Sequence, residues 1–284
     1  MKIGIIGRGF VGSAVQFGFS PNTGCDAQVR AYDKDPHKSQ HSLKEVLDES
    51  DFLFLSLPTP SNPDGSVNLD IVHESLNDIN KINTRDNIIL LRSTMTPGST
   101  EYCQKKYPKL NLVFNPEFLT ERSAKFDFIN QSRYIIGGHP KHTSKVADMY
   151  RWRFGESISV IETNYPTAEL IKYMNNCFLA TKVSFMNEMK LVSDACGADW
   201  DSAVEGFIRD GRIGHTHINV PGPDGKFGFG GSCFPKDILA MIHFGKSFGL
   251  DMNTLSGAWE ANLKVRPEKD WEKLKGRAVV KKDK

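Results

Sequence analysis

The sequence predicts an α/β protein in which a doubly wound, mostly parallel sheet is followed by an all-helical region with a long connecting helix. Short apolar runs alternate with helix-like segments up to about residue 165, where the sequence changes to long helix-forming stretches. Near-continuous apolar runs are typical of strands buried on both faces of a parallel sheet, and their alternation with helices predicts a doubly wound fold. The predicted strands are residues 2–6, 28–32, 52–57, 87–92, 111–114, 133–137 and 158–161.

Helices are predicted between most of these strands, for example at 69–82 and 140–152. A much longer helix is predicted to begin at Tyr165-Pro166, because proline is favoured in a first turn and no later glycine or proline interrupts the pattern before about residue 195. About 30 residues at 1.5 Å each would span about 45 Å. A helix of that length connects domains or forms a subunit interface. Further helices are predicted at 198–208, 236–248 and 252–274.

Composition indicates a globular chain of one large or two ordinary domains. The 284 residues carry a formal net charge of +2, and lysine and arginine are dispersed, which disfavours a nucleic-acid partner. No apolar run reaches membrane-spanning length, so no membrane partner is expected. Five cysteines without metal-site spacing predict reduced thiols, a cytoplasmic location and no metal site. The predicted domains are residues 1–165 and 166–276, with 277–284 as a tail.

A glycine motif opens the first predicted domain and indicates a dinucleotide site of the Rossmann type. Gly7 would allow a tight turn, Gly9 the close approach of a pyrophosphate, and Gly12 the packing of helix on strand. The second strand ends at Asp33, whose carboxylate would bind a ribose and repel a 2′-phosphate, so NAD is favoured over NADP. Lys38 is a further candidate contact. Alternatively, the glycines form an ordinary turn that Asp33 caps. The motif consists of Gly7, Arg8, Gly9, Phe10, Val11 and Gly12.

Polar loops follow three further strands. Thr59, Thr94 and the segment 115–119 come after the third, fourth and fifth strands. Ligands bind at the carboxyl ends of the strands in open α/β sheets, so these loops are candidate cofactor and substrate contacts. Each of them alone could be an ordinary turn. Glu117 and Glu121 are four residues apart, and both could equally be surface charges.

A cysteine beside a glycine-rich turn is the candidate nucleophile. Cys233 follows Gly228–Gly231 and stands at a predicted helix start, with Lys236 and Asp237 in the next turn. A helix N-terminus and a nearby lysine stabilise a thiolate, whereas Asp237 would oppose that effect and is better suited to proton handling or orientation. The other four cysteines, Cys25, Cys103, Cys177 and Cys196, are interpreted as buried.

The long predicted helix carries two polar candidates. Lys172 and Asn176 are spaced four residues apart, so they share one helix face. A lysine and an amide together could stabilise a developing oxyanion. The ordinary alternative is that both side chains are solvated.

These motifs, in this order, resemble the nucleotide-sugar 6-dehydrogenases of the UDP-glucose/GDP-mannose dehydrogenase family. The similarity runs from residue 1 to about 276 and is highly specific as a set. It rests on GRGFVG at 7–12, SLPTP at 56–60, RSTMTPGST at 92–100, NPEFLTE at 115–121, AELIKYMNN at 168–176, RIG at 212–214 and GFGGSCFPKD at 228–237.

The resemblance implies an NAD-dependent oxidation of UDP-glucose to UDP-glucuronate in two steps. A primary alcohol becomes an aldehyde, the cysteine adds to it as a thiohemiacetal, and a second oxidation gives a thioester that water hydrolyses. By motif, Cys233 is the nucleophile, Lys172 and Asn176 stabilise the oxyanion, and Asp237 assists proton transfer. A covalent hemiacetal also keeps the aldehyde from escaping.

The resemblance implies further roles for residues that contact the cofactor, the catalytic water and the substrate. Glu117 manages water and protons, Thr94 holds a catalytic water, Thr59 touches NAD, and Glu121 lies near the nicotinamide. Arg212 reaches the substrate of a neighbouring subunit, in a homodimer formed through the long helix. The implied sugar pocket consists of Phe118, Leu119 and the backbone at 229–232, which includes Phe229, Gly230 and Gly231.

Two features of the sequence depart from the family pattern. The sequence at 119–122 is Leu-Thr-Glu-Arg, where the family commonly has Leu-Arg-Glu. The chain also ends where a third, nucleotide-binding domain would begin, so we expect a short form with 277–284 as a remnant. Either the segment 209–227 compensates for the missing domain, or that domain is supplied separately. The alternatives are a dehydrogenase for another sugar nucleotide such as GDP-mannose, or a catalytically impaired NAD-binding assembly module.

Overall fold

A computed structural model describes residues 1–281. The last three residues, on which part of the predicted tail falls, lie outside the described residues. The chain forms two compact units. The first comprises Met1–Thr59 and Leu69–Lys172, and the second comprises Pro60–Asn68 and the chain from Tyr173 onward. The short segment 60–68 therefore belongs to the second unit, although its sequence neighbours lie in the first.

The first unit is built on one seven-stranded sheet with the order β2-β1-β3-β4-β5-β6-β7. Every neighbouring pair is parallel except β5 and β6, which are antiparallel. The predicted mostly parallel sheet is confirmed. Its strands are β1 (Lys2–Ile6), β2 (Gln28–Tyr32), β3 (Phe52–Leu55), β4 (Ile88–Leu91), β5 (Asn111–Phe114), β6 (Tyr134–Gly138) and β7 (Val160–Thr163).

Helices cover both faces of this sheet, which is why the central strands are apolar throughout. All four residues of β4 are buried, and the core divides into one cluster on each face. Packing is close: a Cβ at Gly18 would overlap the ring of Phe128. The helices of this unit are α1 (Phe10–Gly18), α2 (Leu43–Asp48), α3 (Asp70–Ile82), α4 (Ser99–Lys106), α5 (Ala124–Ile129) and α6 (Pro140–Phe154).

The long predicted helix is present as α7, a single 32-residue helix from Tyr165 to Cys196. The boundary between the two units falls within it, after Lys172. Its apolar residues are not all buried. Six of its large apolar residues, spaced three, four or seven positions apart, are exposed: Leu170, Met174, Phe178, Phe185, Met189 and Val192.

The second unit is mainly helical and contains α8 (Trp200–Ile208), α9 (Phe234–Lys246) and α10 (Asn253–Val265). The prediction of one helix over 252–274 is wrong, because α10 ends at Val265. Pro267 has no N–H to donate and disfavours a helical conformation at the residue before it, so Arg266 lies at φ −130° and ψ 63°. The chain then forms a 3₁₀ turn at Asp270–Lys273.

The last described residues contact the segment 60–68 within the second unit. The Ser61 N–H donates to the Ala278 carbonyl at 2.9 Å, and the Val280 N–H donates to the Ser61 carbonyl at 3.0 Å. The stretch 274–280 forms a turn with two isolated bridges, which pair Val279 with Ser61 and with Lys275. Across the described residues, no helix has the length and apolarity needed to cross a membrane.

Candidate functional site

The first glycine motif forms a turn that leaves space in front of a helix N-terminus. Gly7 has a φ of +90°, which favours glycine, and its N–H donates to the Tyr32 carbonyl at 3.0 Å. A Cβ at Gly12 would overlap the Gly7 carbonyl oxygen, so this position requires glycine for packing. A Cβ at Gly9 would meet nothing within 4 Å. Gly9 is the N-cap of α1 and supplies no capping side chain, so the helix start can receive an anion.

Asp33 stands directly after β2 and is fixed against the same turn. Its Oδ2 accepts a hydrogen bond from the Arg8 N–H at 2.6 Å, and its Oδ1 accepts one from the Asp35 N–H at 2.9 Å. The carboxylate is thereby held beside the glycine turn, as a ribose-binding acid must be. The open space at Gly9 and this placement of Asp33 together fit a dinucleotide with a free 2′-hydroxyl.

Lys38 is linked to the turn by its backbone. Its carbonyl accepts a hydrogen bond from Arg8 Nη1 at 3.0 Å, while its Nζ lies 3.7 Å from Asp35. The side chain is exposed, so the predicted cofactor contact of Lys38 stays a prediction.

The loops after β3, β4 and β5 lie at the carboxyl edge of the sheet. Thr59 and Thr94 are both buried. The loop at 115–119 is fixed at its start because Asn115 accepts from Arg92 Nη1 and Tyr150 Oη and donates to the Ile135 carbonyl at 2.8 Å. The edge is therefore ordered by buried side-chain contacts, and not only by its turns.

Glu117 and Lys172 form a buried ion pair in the first unit. Lys172 Nζ lies 3.1 Å from Glu117 Oε1, donates to the Glu117 carbonyl, and stands 5.3 Å from the centre of the Phe118 ring. The other Glu117 oxygen accepts from the Leu119 N–H at 2.7 Å. Four of the predicted residues thus meet in one place. Glu121 does not share their environment: residues 115–120 are not helical and Glu121 is exposed.

Cys233 is the N-cap residue of α9 and is half-buried. One turn on, Asp237 is 1% exposed, and its N–H donates to the Cys233 carbonyl at 2.9 Å. Asp237 Oδ2 accepts from Asn176 Nδ2 at 2.6 Å, and Oδ1 is ion-paired with Lys236. The charge of Lys236 is therefore largely offset by Asp237, and the α9 N-terminus is a feature that can stabilise a Cys233 thiolate.

Two of the remaining cysteines have a raised thiol pKa. Burial raises the pKa of the Cys103 thiol to about 11. Burial, and then the nearby Asp237, raise the pKa of the Cys177 thiol further. Cys25 is also buried. Cys196 is exposed near the end of α7, so the prediction that its thiol is buried is wrong. The role of Cys233 as the nucleophile stays a prediction.

Arg212 lies on an exposed turn of the second unit. Its Nε is 2.9 Å from Asp210 Oδ1, and the following turn is held on α7 by Lys182, whose Nζ donates to the Ile213 carbonyl at 3.0 Å and the Gly214 carbonyl at 3.1 Å. In the single chain, Arg212 therefore contacts Asp210, and its predicted reach to another subunit stays a prediction.

The sequence interpretation missed two sets of buried polar residues. Glu169 accepts hydrogen bonds from the start of α4 in the first unit, and its spacing from Lys172 and Asn176 would have placed it on their helix face. In the second unit, Asn262 and Arg266 bind the glycine-rich turn before Cys233. No pattern in the sequence distinguishes these two from solvated helix residues.

Comparison with known families identifies both units. Residues 30–152 match the model for the NAD-binding domain of the UDP-glucose/GDP-mannose dehydrogenase family, and residues 166–264 match the model for the central domain of that family. The predicted cofactor, NAD, agrees with the first match and with the glycine turn and Asp33.

Individual relatives agree with these matches. A UDP-glucose 6-dehydrogenase of Rickettsia typhi is 32% identical over 94% of this chain and 68% of that protein. One from Bacillus subtilis is 31% identical over 78% of this chain and 50% of that protein. The structure is similar to a UDP-glucose dehydrogenase of Pyrobaculum islandicum, with a TM-score of 0.81 and 28% identity over 96% of this chain and 70% of that one.

The chain thus spans about half to two-thirds of the length of the relatives it matches. The two family models nevertheless cover most of its residues, in the order found in the family. Strands β3 to β6, nearly all of the long helix and the Cys233 helix start fall within the matched regions, whereas β1 and the glycine turn at 7–12 precede them. The chain belongs to the UDP-glucose/GDP-mannose dehydrogenase family of NAD-dependent oxidoreductases.

Proposed function

We propose that this protein oxidises the primary alcohol of UDP-glucose to the carboxylate of UDP-glucuronate, with Cys233 as a covalent nucleophile. The observation that carries the proposal is the half-buried Cys233 thiol at the N-terminus of α9, one turn from the fixed Asp237 carboxylate. The substrate is chosen because several relatives at 31–36% identity are named UDP-glucose 6-dehydrogenases.

Cys233 supplies the covalent step. Its thiolate adds to the carbonyl carbon of the aldehyde, an S–C bond forms, and the carbonyl oxygen becomes an alkoxide that takes up a proton. NAD, when bound, accepts the hydride in each of the two oxidations. The resulting thioester is attacked by water, the S–C bond breaks, and the thiolate leaves to the stabilising helix N-terminus.

We assign the handling of charge and protons to polar groups that are held by buried contacts within each unit. Asn176 and Lys236 hold Asp237 in one orientation, so this carboxylate can bind a water or accept a proton without moving. Lys172 supplies a positive charge for an alkoxide, and Glu117, which is buried beside it, is suited to receive a proton from water. Removing one such donor typically lowers the rate by about 10²–10³-fold.

The test is to incubate the protein with UDP-glucose and NAD, and to measure NADH absorbance and product mass. We expect two NADH per sugar and formation of the uronate. Cys233→Ser should lose at least about 10³-fold in uronate formation, since the covalent step is removed. Cys196→Ser, at an exposed cysteine with no assigned role, is the matched control and should leave the rate unchanged.

The outcomes separate the candidate functions. Activity with GDP-mannose and not with UDP-glucose would show that GDP-mannose, and not UDP-glucose, is the substrate. No NADH formation with any sugar nucleotide would favour an NAD-binding assembly module without turnover. Uronate production by Cys233→Ser at the wild-type rate would refute the covalent mechanism.

We also propose that the protein is cytoplasmic and forms a homodimer. In this dimer, a second copy of the chain covers the exposed apolar residues of α7. Met174 and Phe178 are 62% and 67% exposed one turn apart, and Phe185 continues the row two turns later. A row of large apolar side chains along a helix fits an identical helix related by a twofold axis. Light scattering should give twice the mass of one chain, and Phe178→Glu should shift it toward one chain. A wild-type mass of one chain would reject the dimer.

A further inference from the structure

The glycine-rich turn before Cys233 has neither helix nor strand to fix it, yet its backbone is held in detail. Gly228 and Phe229 are buried. Burying irregular backbone is unfavourable unless its N–H and C=O groups find partners. In this turn the partners are side chains from helices that are distant in the sequence.

Asn262 of α10 provides two of these partners. Its Oδ1 accepts from the Phe229 N–H at 2.7 Å, and its Nδ2 donates to the Phe229 carbonyl at 3.0 Å. One amide side chain therefore pairs with both backbone groups of one residue, as a neighbouring strand would. Asn262 is fully buried. Asn187 of α7 adds a third bond, because its Oδ1 accepts from the Gly228 N–H at 2.9 Å.

Arg266, one turn further along, ties together the flanks of the same turn. The guanidinium is 2% exposed. Its Nη2 lies 2.6 Å from Asp224 Oδ2, its Nε lies 2.7 Å from Asp270 Oδ1, and its Nη1 donates to the Phe227 carbonyl at 3.3 Å. Burial alone would raise the pKa of Asp224 and Asp270, but the bonds from Arg266 lower it, so both carboxylates stay charged.

The turn also leaves no room for movement toward α10. A Cβ at Gly230 would lie 2.5 Å from Arg266 Nη2, and a Cβ at Gly228 would overlap Asn262 Oδ1. The backbone thus packs directly on these two side chains. Three residues separate Phe229 from Cys233, so a shift of the turn displaces the thiol.

We propose that Asn262 and Arg266 are positioning residues that fix the 228–231 turn and thereby hold the Cys233 thiol at the N-terminus of α9. They do not touch the reacting atoms; they determine where the nucleophile stands. This inference rests on the proposed role of Cys233. Their substitution should lower the reactivity of the thiol, because a displaced sulfur loses the stabilisation of the helix N-terminus.

The experiment measures thiol reactivity directly. The protein is treated with iodoacetamide at neutral pH without cofactor or substrate, and alkylation of Cys233 and Cys196 is followed by mass spectrometry. Cys196 is exposed and distant in sequence from the turn, so it serves as the internal reference. Two variants are tested: Asn262→Asp loses the donor to the Phe229 carbonyl, and Arg266→Lys loses the guanidinium fork. In both variants, the alkylation rate of Cys233 relative to that of Cys196 should fall at least about fivefold.

Turnover provides the second readout. We expect kcat to fall by up to about 10²-fold in both variants, as for small misplacements of reacting groups, with an unchanged KM for NAD. Asp270→Asn, at a half-buried position, is the milder variant if a buried substitution prevents folding, and it should change both readouts in the same direction. Lys264→Ala, exposed on the same helix, is the matched control and should change neither.

Two results would overturn the inference. One is an unchanged or higher alkylation ratio in the folded variants, and the other is an unchanged kcat. Failure of the proposed function is distinguishable, because a wild-type protein without dehydrogenase activity would still report thiol position through the alkylation ratio.

Discussion

Two glycine-rich turns lead into helix N-termini in this chain, and they are stabilised in different ways. The turn at Gly7–Gly12 is closed by its own backbone and by Asp33, and the space at Gly9 stays open. The turn at Gly228–Gly231 is bound by buried side chains of two helices, Asn187 from α7 and Asn262 from α10.

The difference is the one expected if the first helix start binds a dinucleotide and the second carries the proposed Cys233 nucleophile. A dinucleotide brings its own charges and needs free N–H groups and space, so the first turn presents backbone and little else. A thiol is part of the chain and needs a fixed position, so the second turn is held by packing and side-chain hydrogen bonds. A third helix start, that of α4 after Gly98, is closed by the buried Glu169 carboxylate.

The largest effect is expected from Gly12→Ala, which tests whether the first turn tolerates any added atom. Its Cβ would overlap the Gly7 carbonyl oxygen, and backbone cannot rotate away as a side chain can. Overpacking against backbone should therefore lower the free energy of unfolding by about 3 kcal/mol, which denaturant unfolding can measure. Gly9→Ala is the matched control: its Cβ meets nothing, so stability should stay within about 0.5 kcal/mol. Equal losses of stability in the two variants would contradict the comparison.

The second effect concerns the closed helix start at α4. Glu169 accepts from the N–H groups of Gly98 at 2.6 Å and Thr100 at 2.8 Å and from the Thr100 hydroxyl at 2.6 Å. Burial raises the pKa of Glu169 from its ordinary 4.5 to about 7, although these bonds lower it in part. The titratable groups that interact with it are the Glu101 carboxyl, the Tyr165 phenol and the Cys103 thiol.

Because the folded state binds this proton more tightly than the unfolded chain does, its contribution to stability is complete below about pH 4.5 and is lost as the pH rises through 7. The expected loss is about 3 kcal/mol. Denaturant unfolding of the wild type and Glu169→Gln between pH 4.5 and 7.5 should show this decline only in the wild type. Glu188→Gln, at an exposed position of the same helix, is the control and should show the same decline as the wild type. If the stability of wild type and Glu169→Gln changes in parallel with pH, the assignment of the decline to Glu169 is refuted.

The smallest effect is expected from Gly228→Ala, which tests the second turn. Its φ of +68° is unfavourable for alanine, and the added Cβ would overlap Asn262 Oδ1, so the free energy of unfolding should fall by about 2 kcal/mol. Gly257→Ala, exposed on α10 with nothing near its Cβ, should instead raise it by about 0.5–1 kcal/mol. A neutral Gly228→Ala would mean that the turn is less tightly held than its contacts indicate.

Local patterns predicted most of the fold. Strands such as β1 and β5 have the predicted bounds because short apolar runs between turns have few alternatives, and α7 follows from an uninterrupted helical sequence. The prediction over 252–274 was wrong where a single residue, Pro267, outweighs a helical pattern.

The site was predicted as a set of residues, but its pairings were not. Glu117 and Lys172 are 55 residues apart, so only the folded sheet and helix bring the two charges together. Asn262 and Arg266 were missed because, in a helix, an amide and a guanidinium that bind backbone look the same as solvated ones. Periodicity reports which face of a helix is apolar, and carries no information on which polar residue faces an irregular turn.

The pairing of Asn262 with the Phe229 backbone has a consequence for local unfolding. The amide hydrogens of Gly228 and Phe229 lie outside helices and strands, where exchange with solvent is usually fast. Since both are bonded to buried side chains of α7 and α10, they can exchange only when those helices separate from the turn. The turn therefore opens as part of the same cooperative unit as its two helices, and its deuterium uptake reports the integrity of that unit.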